Sequence, residues 1–429
     1  MRVAFYTLGC KLNQAEIESL ANRFSQAGFQ LVSPNDVADI YIANTCTVTH
    51  IADRKSRHWL RLARRRNPQA LIIATGCYAQ RNRQELTQLA DLVVDNAEKE
   101  HLPELIQTLS LEGRGLGEGE TKQPHVFAAT TRTRSLIKIQ DGCHSFCTYC
   151  IVPKVRPHEY SLPASQIIEE VKQKVALGYK EVVLTGTKVG NYKDDSTDFK
   201  DLIQRILHDT DIERLRLSSL QPSDISTELL AIWQDERLCR HFHLALQSGS
   251  EIVLQRMKRS YSLDQYQRTI NLIKEKIPAV AITTDIMVGF PGETDEEFEQ
   301  SYSFCRQAGF ASIHVFPFSP RPETAAARMP GQIKDKIKQE RNRRMLELSR
   351  GSQRRFCQQF LGQIVPVLWE KETSPGSSTY SGLTGNYIRV FAHSQKPLSN
   401  EITPVKLVEL HDQGVWGEMD KETVRQLSS

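Results

Sequence analysis

Hydrophobic positions in the first hundred residues alternate between two periods. Short apolar, β-branched runs occupy residues 3–8, 39–44, 70–75 and 91–95. Each is strand-length and too short for a helix. Between them, apolar residues recur at helical spacing over 13–27, 49–66 and 79–89. Strands alternating with helices predict right-handed crossovers and a parallel sheet covered on both faces. The alternation stops at 110–124, where Gly and charged residues replace any apolar period, as in an interdomain linker.

The alternation resumes with six candidate strands at 136–139, 181–184, 214–217, 242–246, 280–286 and 312–316, separated by helical patterns such as 164–176 and 295–307. Six β/α units are too few for a closed eight-stranded barrel. Residues 334–356 read as one long basic helix. Beyond it, short strands at 364–369, 380–383, 387–390, 403–410 and 415–418, punctuated by Gly, Ser, Pro and Asn, predict a small all-β, OB-like barrel. The fold class is α/β with an all-β tail. The expected division is a first domain over 1–109, a linker over 110–130, a second domain over 131–355 and a tail domain from 356 to 429.

Composition narrows the setting. A chain of 429 residues exceeds one ordinary core, and 39% hydrophobic with 25% charged residues is ordinary for a globular protein. No apolar run approaches a membrane span, and the opening Met1-Arg2-Val3-Ala4-Phe5-Tyr6 reads as a strand rather than a signal peptide. Nine cysteines scattered over a long chain do not form a secreted disulfide framework, so a reducing, cytoplasmic setting is expected. The net charge of +4 is unevenly placed: 50–66 carries seven Lys/Arg against one Asp, and 334–355 nine against three acids. Such runs are either solvated helix faces or footprints for a phosphate backbone.

The cysteines carry the chemistry. In Asp141-Gly142-Cys143-His144-Ser145-Phe146-Cys147-Thr148-Tyr149-Cys150, three thiols are separated by three and then two residues. One loop with that spacing can place three thiolates on three irons of a 4Fe–4S cluster and leave the fourth iron open. A zinc site would usually close with four ligands, and no fourth cysteine lies nearby. Cys10, Cys46 and Cys77 each fall just past a predicted strand. In an open parallel sheet such turns share the carboxyl edge, so three cysteines distant in sequence become neighbours, suited to a second open cluster. Cys239, Cys305 and Cys357 have no partner spacing and read as packing residues. His241 and His243 alternate along the fourth barrel strand, where packing at a rim is expected.

These motifs resemble a known family. The three-cysteine loop is similar to that of the radical S-adenosylmethionine (SAM) superfamily, in which the open iron chelates SAM and the reduced cluster yields a 5′-deoxyadenosyl radical. Tyr6-Thr7-Leu8-Gly9-Cys10-Lys11-Leu12-Asn13-Gln14-Ala15-Glu16, Asn44-Thr45-Cys46-Thr47-Val48 and Thr75-Gly76-Cys77 resemble the signatures of the methylthiotransferases. Cys10-Lys11-Leu12-Asn13-Gln14 most resembles the branch acting on N6-threonylcarbamoyladenosine beside the tRNA anticodon, rather than those acting on isopentenyladenosine or a ribosomal protein.

The resemblance spans almost the whole chain. It implies an amino-terminal domain with its own 4Fe–4S cluster, a partial (β/α)6 barrel and a TRAM-like RNA-binding tail. Cys10, Cys46, Cys77, Cys143, Cys147 and Cys150 would be the ligands of two 4Fe–4S clusters. The SAM-binding candidates lie at strand ends: Thr185 and Gly186, then Gln247 and Ser248, then Gly289 and Gly292, with Tyr149 beside the adenine. The expected product carries a methylthio group on C2 of the modified adenosine at position 37, made with two SAM molecules. The implied partners are the tRNA anticodon stem-loop and an electron donor such as flavodoxin or ferredoxin. Neither a membrane nor more than a monomer is called for.

Two departures from the family pattern stand out. Val155-Arg156-Pro157-His158-Glu159-Tyr160-Ser161 replaces an Arg-Gly and Arg-Ser pattern, and Ala245 replaces a proline. A reading from a different class is a non-catalytic iron–sulfur RNA-binding protein or redox sensor. It would need no SAM and would yield no 5′-deoxyadenosine.

Overall fold

A computed structural model of the chain describes residues 1–111 and 133–419. The linker expected at 110–130 lies outside the described residues from 112 onward; residues 110 and 111 end the helix Leu102–Leu111. The chain forms two compact units. The first joins Met1–Thr130 with Asp141–Tyr160 and Ser319–Thr324, and the second holds Thr131–Gln140, Ser161–Phe318 and Ala325–Ser429.

The first unit is built on a five-stranded parallel sheet. Its strands are β1 (Arg2–Thr7), β2 (Gln30–Val32), β3 (Ile40–Thr45), β4 (Leu71–Gly76) and β5 (Leu92–Val93), in the order β2-β1-β3-β4-β5. Every residue of the central β3 is buried, as its apolar run demands of a strand covered on both faces. Helix α1 (Lys11–Gln26) follows β1 and turns Leu12, Ala15, Leu20 and Phe24 inward at helical spacing. Helix α2 (His50–Arg66) follows β3 and starts where the Thr49 side chain accepts from the Ala52 N–H, at 3.1 Å.

Two features differ from the sequence pattern. The edge strand β2 has no fully buried residue, so three positions gave no apolar run to read. The single helix expected over 79–89 is two short ones, Cys77–Arg81 and Arg83–Leu86. Asn82 leaves helical geometry (φ −139°, ψ 65°), and its side chain caps the second helix through the Glu85 N–H.

The second unit contains the six expected barrel strands: Arg134–Lys138, Glu181–Thr185, Arg214–Leu217, His241–Leu244, Ala281–Val288 and Ser312–Pro317. Their pairings are parallel and follow chain order, with one break. Arg214–Leu217 pairs with Glu181–Thr185, and after Ser218 the continuation Ser219–Leu220 pairs instead with His241–Leu244. That hand-over bends the wall into a partial barrel. Alternate residues such as Val182, Leu184, Leu215, Phe242, Leu244, Ile282 and Ile286 join Ile167, Val171, Leu202, Tyr266 and Ile270 of the helices in the main core. The opposite, inner face is unusually polar: Glu181, Arg214, Arg216, His241, His243, Thr283 and Asp285 occupy it.

The long basic helix runs Asp335–Gln358 and leads into the tail. The tail closes on itself as a five-stranded barrel in the order Ile364–Glu372, Thr379–Thr384, Arg389–His393, Gly414–Met419, Ile402–His411. All five predicted strands are present; the third starts two residues late because Tyr387 sits in a turn with φ +69°.

Candidate cluster-binding site

The sheet order β1-β3-β4 places the loops after these three strands side by side along the carboxyl edge. Cys10 precedes the first turn of α1, Cys46 follows β3 directly, and Cys77 opens the helix after β4. Glycines allow the loops to meet. A Cβ on Gly9 would lie 2.9 Å from both Cβ and Sγ of Cys46. Gly76 has φ +93°, and a Cβ there would lie 2.2 Å from Asn44 Oδ1.

Side chains then lock the loops together. Asn13 Nδ2 donates to the carbonyls of Leu8 (2.8 Å) and Thr45 (3.2 Å). Thr45 Oγ1 donates to the Thr75 carbonyl at 2.6 Å and accepts from the Ala79 N–H at 3.2 Å. The Cys46 thiol is pushed up to about 12, first by burial and further by the neighbouring Cys77 and Cys10. Three thiols gathered at one sheet edge suit a cationic centre that takes all of them as thiolates. The residues present therefore fit a three-thiolate cluster.

The loop holding Cys143, Cys147 and Cys150 is packed in the same unit against the segment that follows it. Gly142 has φ +76°, and a Cβ on it would fall 1.9 Å from the His158 carbonyl oxygen. His144 Nε2 lies 2.8 Å from the Pro157 carbonyl, and the His144 N–H donates to Glu159 at 3.1 Å. The Cys150 N–H donates to the Cys147 carbonyl at 3.1 Å, closing a turn between these two cysteines. All three thiols and Tyr149 are partly exposed, and Phe146 projects into solvent at 85% exposure.

Arg156, quoted above only as part of an unusual segment, is the hub of this unit. Its guanidinium is buried and donates to Glu16, Asp141 and Asn13 at 2.7–3.0 Å, and from Nε to Cys77 Sγ at 3.3 Å. Glu16 also receives Lys99 Nζ at 2.6 Å and Asn44 Nδ2 at 3.1 Å. Fork-shaped donation to two carboxylates is arginine's particular capacity. An arginine six residues past the third cysteine was the only trace of this network in the sequence. A second buried group surrounds the residue after Cys46: Thr47 Oγ1 donates to Asp53 at 2.7 Å, and Arg81 and Arg321 both donate to Thr47 and Asp53.

In the second unit, the strand-end candidates stand where barrel active sites form. Gly186 follows Thr185 and packs on Gln140, whose carbonyl oxygen would lie 2.7 Å from an added Cβ. Gln247 holds φ +69° because its backbone pairs with the next strand, from its N–H to the Asp285 carbonyl and from the Met287 N–H to its own carbonyl, both at 2.8 Å. Ser248 is buried, with its hydroxyl 3.1 Å from that of Ser301 and 3.2 Å from the Ser250 N–H, so it shapes the loop. Gly289 (φ +71°) and Gly292 (φ +74°) allow close approach of the Lys338 and Arg256 side chains. Thr294 caps the helix that follows in a capping box with Glu297.

The amino ends of the barrel strands are closed by ion pairs and the tail. Arg216 and Glu181, both wholly buried, pair at 2.7 Å, and Arg134 pairs with Glu370 of the tail at the same distance. Arg214 donates to the carbonyls of Leu383 and Pro366, and Arg216 to those of Thr384 and Gly385. Tyr387 is sandwiched, with its ring 4.4 Å from that of His241 and 4.9 Å from the Arg216 guanidinium. Cys239, Cys305 and Cys357 are buried, as packing residues should be.

The two basic runs differ. In Asp335–Gln358, Lys338, Arg341, Arg343 and Arg344 are all ion-paired with nearby carboxylates. On α2, Arg54, Lys55, Arg61 and Arg65 share an exposed face. No helix among the described residues is long and apolar enough to cross a membrane.

Two family models match the chain. Residues 137–305 match the model of the radical SAM superfamily, and residues 2–95 match one described as uncharacterized protein family UPF0004. The chain is 36% identical over 425 residues to the threonylcarbamoyladenosine tRNA methylthiotransferase MtaB of Bacillus subtilis (strain 168), covering 95% of this chain and 94% of that protein. It is 38% identical over 401 residues to the protein of the same name from Aquifex aeolicus (strain VF5), with 91% and 96% covered. Among solved structures, the radical S-adenosylmethionine methyltransferase TsrM from Kitasatospora setae, with cobalamin and a [4Fe-4S] cluster bound, aligns with a TM-score of 0.58. The alignment covers 76% of this chain and 77% of that one at 14% identity, a likeness of fold.

Proposed function

Because the chain belongs to the radical SAM methylthiotransferase family, we propose that it places a methylthio group on C2 of N6-threonylcarbamoyladenosine at position 37 of tRNA, replacing the C2–H bond by C2–S. The enzyme's cofactors are iron–sulfur clusters and SAM. The reading assigns Cys143, Cys147 and Cys150 to the cluster that works with SAM, and Cys10, Cys46 and Cys77 to a second cluster. When bound, the first supplies with SAM a 5′-deoxyadenosyl radical able to attack an unacidic C–H bond, and the second supplies a site for sulfur.

The single observation that carries this reading is the convergence of the Cys10, Cys46 and Cys77 loops on one sheet edge, where Gly9 and Gly76 leave room for nothing but contact. A radical SAM enzyme with one cluster would have no use for that arrangement. Cys10-Lys11-Leu12-Asn13-Gln14 and the names of the two relatives favour threonylcarbamoyladenosine over isopentenyladenosine or a protein side chain as acceptor. Under the same reading Thr185, Gly186, Gln247, Ser248, Gly289, Gly292 and Tyr149 contact SAM. The tail would bind the tRNA, as on its own would the exposed basic face of α2, and the unpaired bases of the anticodon loop can be splayed out for attack.

The deciding experiment measures iron and acid-labile sulfide after anaerobic reconstitution, beside a variant with Cys10, Cys46 and Cys77 changed to Ala. Iron falling from about eight to about four per chain, with 5′-deoxyadenosine still formed, is expected. About four in both proteins would remove the second cluster and with it the sulfur-transfer mechanism. Mass spectrometry of tRNA from a deletion strain then tests the acceptor: unchanged methylthiolation of threonylcarbamoyladenosine would overturn that assignment.

A further inference from the structure

His243, Asp285 and His314 lie on three neighbouring parallel strands of the partial barrel, on its inner wall. Register brings them together: His243 pairs with Thr283, and Asp285 with His314. Asp285 offers one carboxylate oxygen to each imidazole, at 3.1 Å from His243 Nε2 and 3.3 Å from His314 Nδ1. One ligand atom from each residue lies within 4.8 Å of the others.

Metal–ligand bonds of about 2.1 Å separate neighbouring ligands by roughly 3.0–3.4 Å, and each imidazole nitrogen stands at such a distance from its own oxygen of Asp285. The outer nitrogen of His243 is anchored as well. Nδ1 lies 2.9 Å from Thr283 Oγ1, which lies 3.0 Å from His241 Nε2. Thr283 has one hydroxyl proton for these two rings. When it goes to His241, His243 Nδ1 becomes the donor and a bare Nε2 lone pair faces Asp285. Two imidazoles and one carboxylate, with the second ring nitrogen of His243 held by a hydrogen bond, is a donor set suited to a first-row divalent metal. The approach is open, since His314 is 55% exposed and Asp285 24% exposed.

We propose that His243, Asp285 and His314 bind one first-row divalent cation on the inner wall of the barrel. Its remaining coordination positions face the barrel interior and are suited to oxygen ligands. Resting on the function proposed above, those positions take the carboxylate of the acceptor's threonylcarbamoyl group, which an isopentenyl group lacks.

The test uses the holoprotein, with its cysteines occupied by iron. Mn2+ is titrated anaerobically and the free ion followed by electron paramagnetic resonance. Saturable binding of a single equivalent, lost in both Asp285→Asn and His314→Ala and retained in His208→Ala, is expected. His314 is half exposed, so its truncation leaves the fold intact, which circular dichroism checks. Absence of saturable binding, or equal binding in all four proteins, overturns the site. A second arm measures the affinity of an anticodon stem-loop with and without the threonylcarbamoyl group. Mn2+ should tighten only the modified RNA, by about tenfold; an equal effect on both, or none, overturns the acceptor contact. Neither arm involves SAM or turnover, so failure here and failure of the methylthiotransfer reading are told apart.

Discussion

Arg156 donates from Nε to the Cys77 sulfur at 3.3 Å while its other nitrogens hold Glu16 and Asp141. One buried guanidinium thus joins the helix after Cys10, the helix beginning at Cys77 and the residue two before Cys143. Burial works against its charge, but Cys77, Glu16 and Asp141 outweigh that and hold it protonated. Replacing Arg156 by Met takes the shared guanidinium away from two buried carboxylates, of which Glu16 keeps Lys99, and costs about 3–5 kcal/mol. Chemical denaturation should show that loss. Arg156→Lys retains charge but not the fork, and should recover only part of it. Hydrogen bonds to a ligating sulfur also tune cluster potential. Spectroelectrochemistry of Arg156→Lys should therefore show one of two clusters shifted and the other unmoved.

Gly76 offers a sharper test of the sheet edge. Its φ of +93° and the 2.2 Å approach to Asn44 Oδ1 make an added methyl group doubly unfavourable. Gly76→Ala should reconstitute with about four irons instead of about eight. Gly28 has a positive φ but open space around it. Gly28→Ala should keep the full iron content and lose only stability.

The exposed face of α2 predicts a salt effect. Replacing Arg54, Arg61 and Arg65 together by Gln should weaken stem-loop binding with and without the modification alike. Each phosphate contact removed flattens the slope of log affinity against log salt by about 0.7–0.9. An unchanged slope would show that the α2 face does not touch RNA.

Glu181 links acid stability to the barrel floor. Burial alone would raise its carboxyl, yet Arg216, Arg134 and Arg214 outweigh it and hold the group below the usual glutamate range. A depressed carboxylate contributes stability fully above its unfolded pKa, near 4.3, and loses it as pH falls toward the folded value. Denaturant midpoints of the barrel and tail should therefore fall together below about pH 4.3. Glu181→Gln should flatten that part of the profile. It should also lower stability at neutral pH, because Arg216 is left buried without its partner.

Much of this was legible in the sequence for a physical reason. A parallel sheet places every strand-to-helix turn on one edge, so strand period and cysteine position together put Cys10, Cys46 and Cys77 in one place. The barrel strands and the tail strands were readable because their buried faces enforce apolar runs. What stayed hidden was polar and long-range. Asp285 and His314 are single residues in strands whose alternation looks ordinary, and only register makes them neighbours. Arg156 and Glu16 are separated by 140 positions, and no local period announces such a pair. The helix expected over 79–89 failed at Asn82, where a side-chain cap overrode the apolar spacing. The charge on Asp335–Gln358 invited an RNA-binding role, but carboxylates absorb much of it.

The tail barrel has a further consequence. Arg214 and Arg216 grip its carbonyls, Arg134 pairs with its Glu370, and Tyr387 is inserted between His241 and Arg216. A tail fastened in this way is a fixed jaw of a caliper rather than a tethered hand. If it grasps the stem, the span from grip to reacting base is set by the protein's own dimensions. A stem-loop lengthened or shortened by one base pair would then present the wrong nucleotide to the barrel, however well it bound.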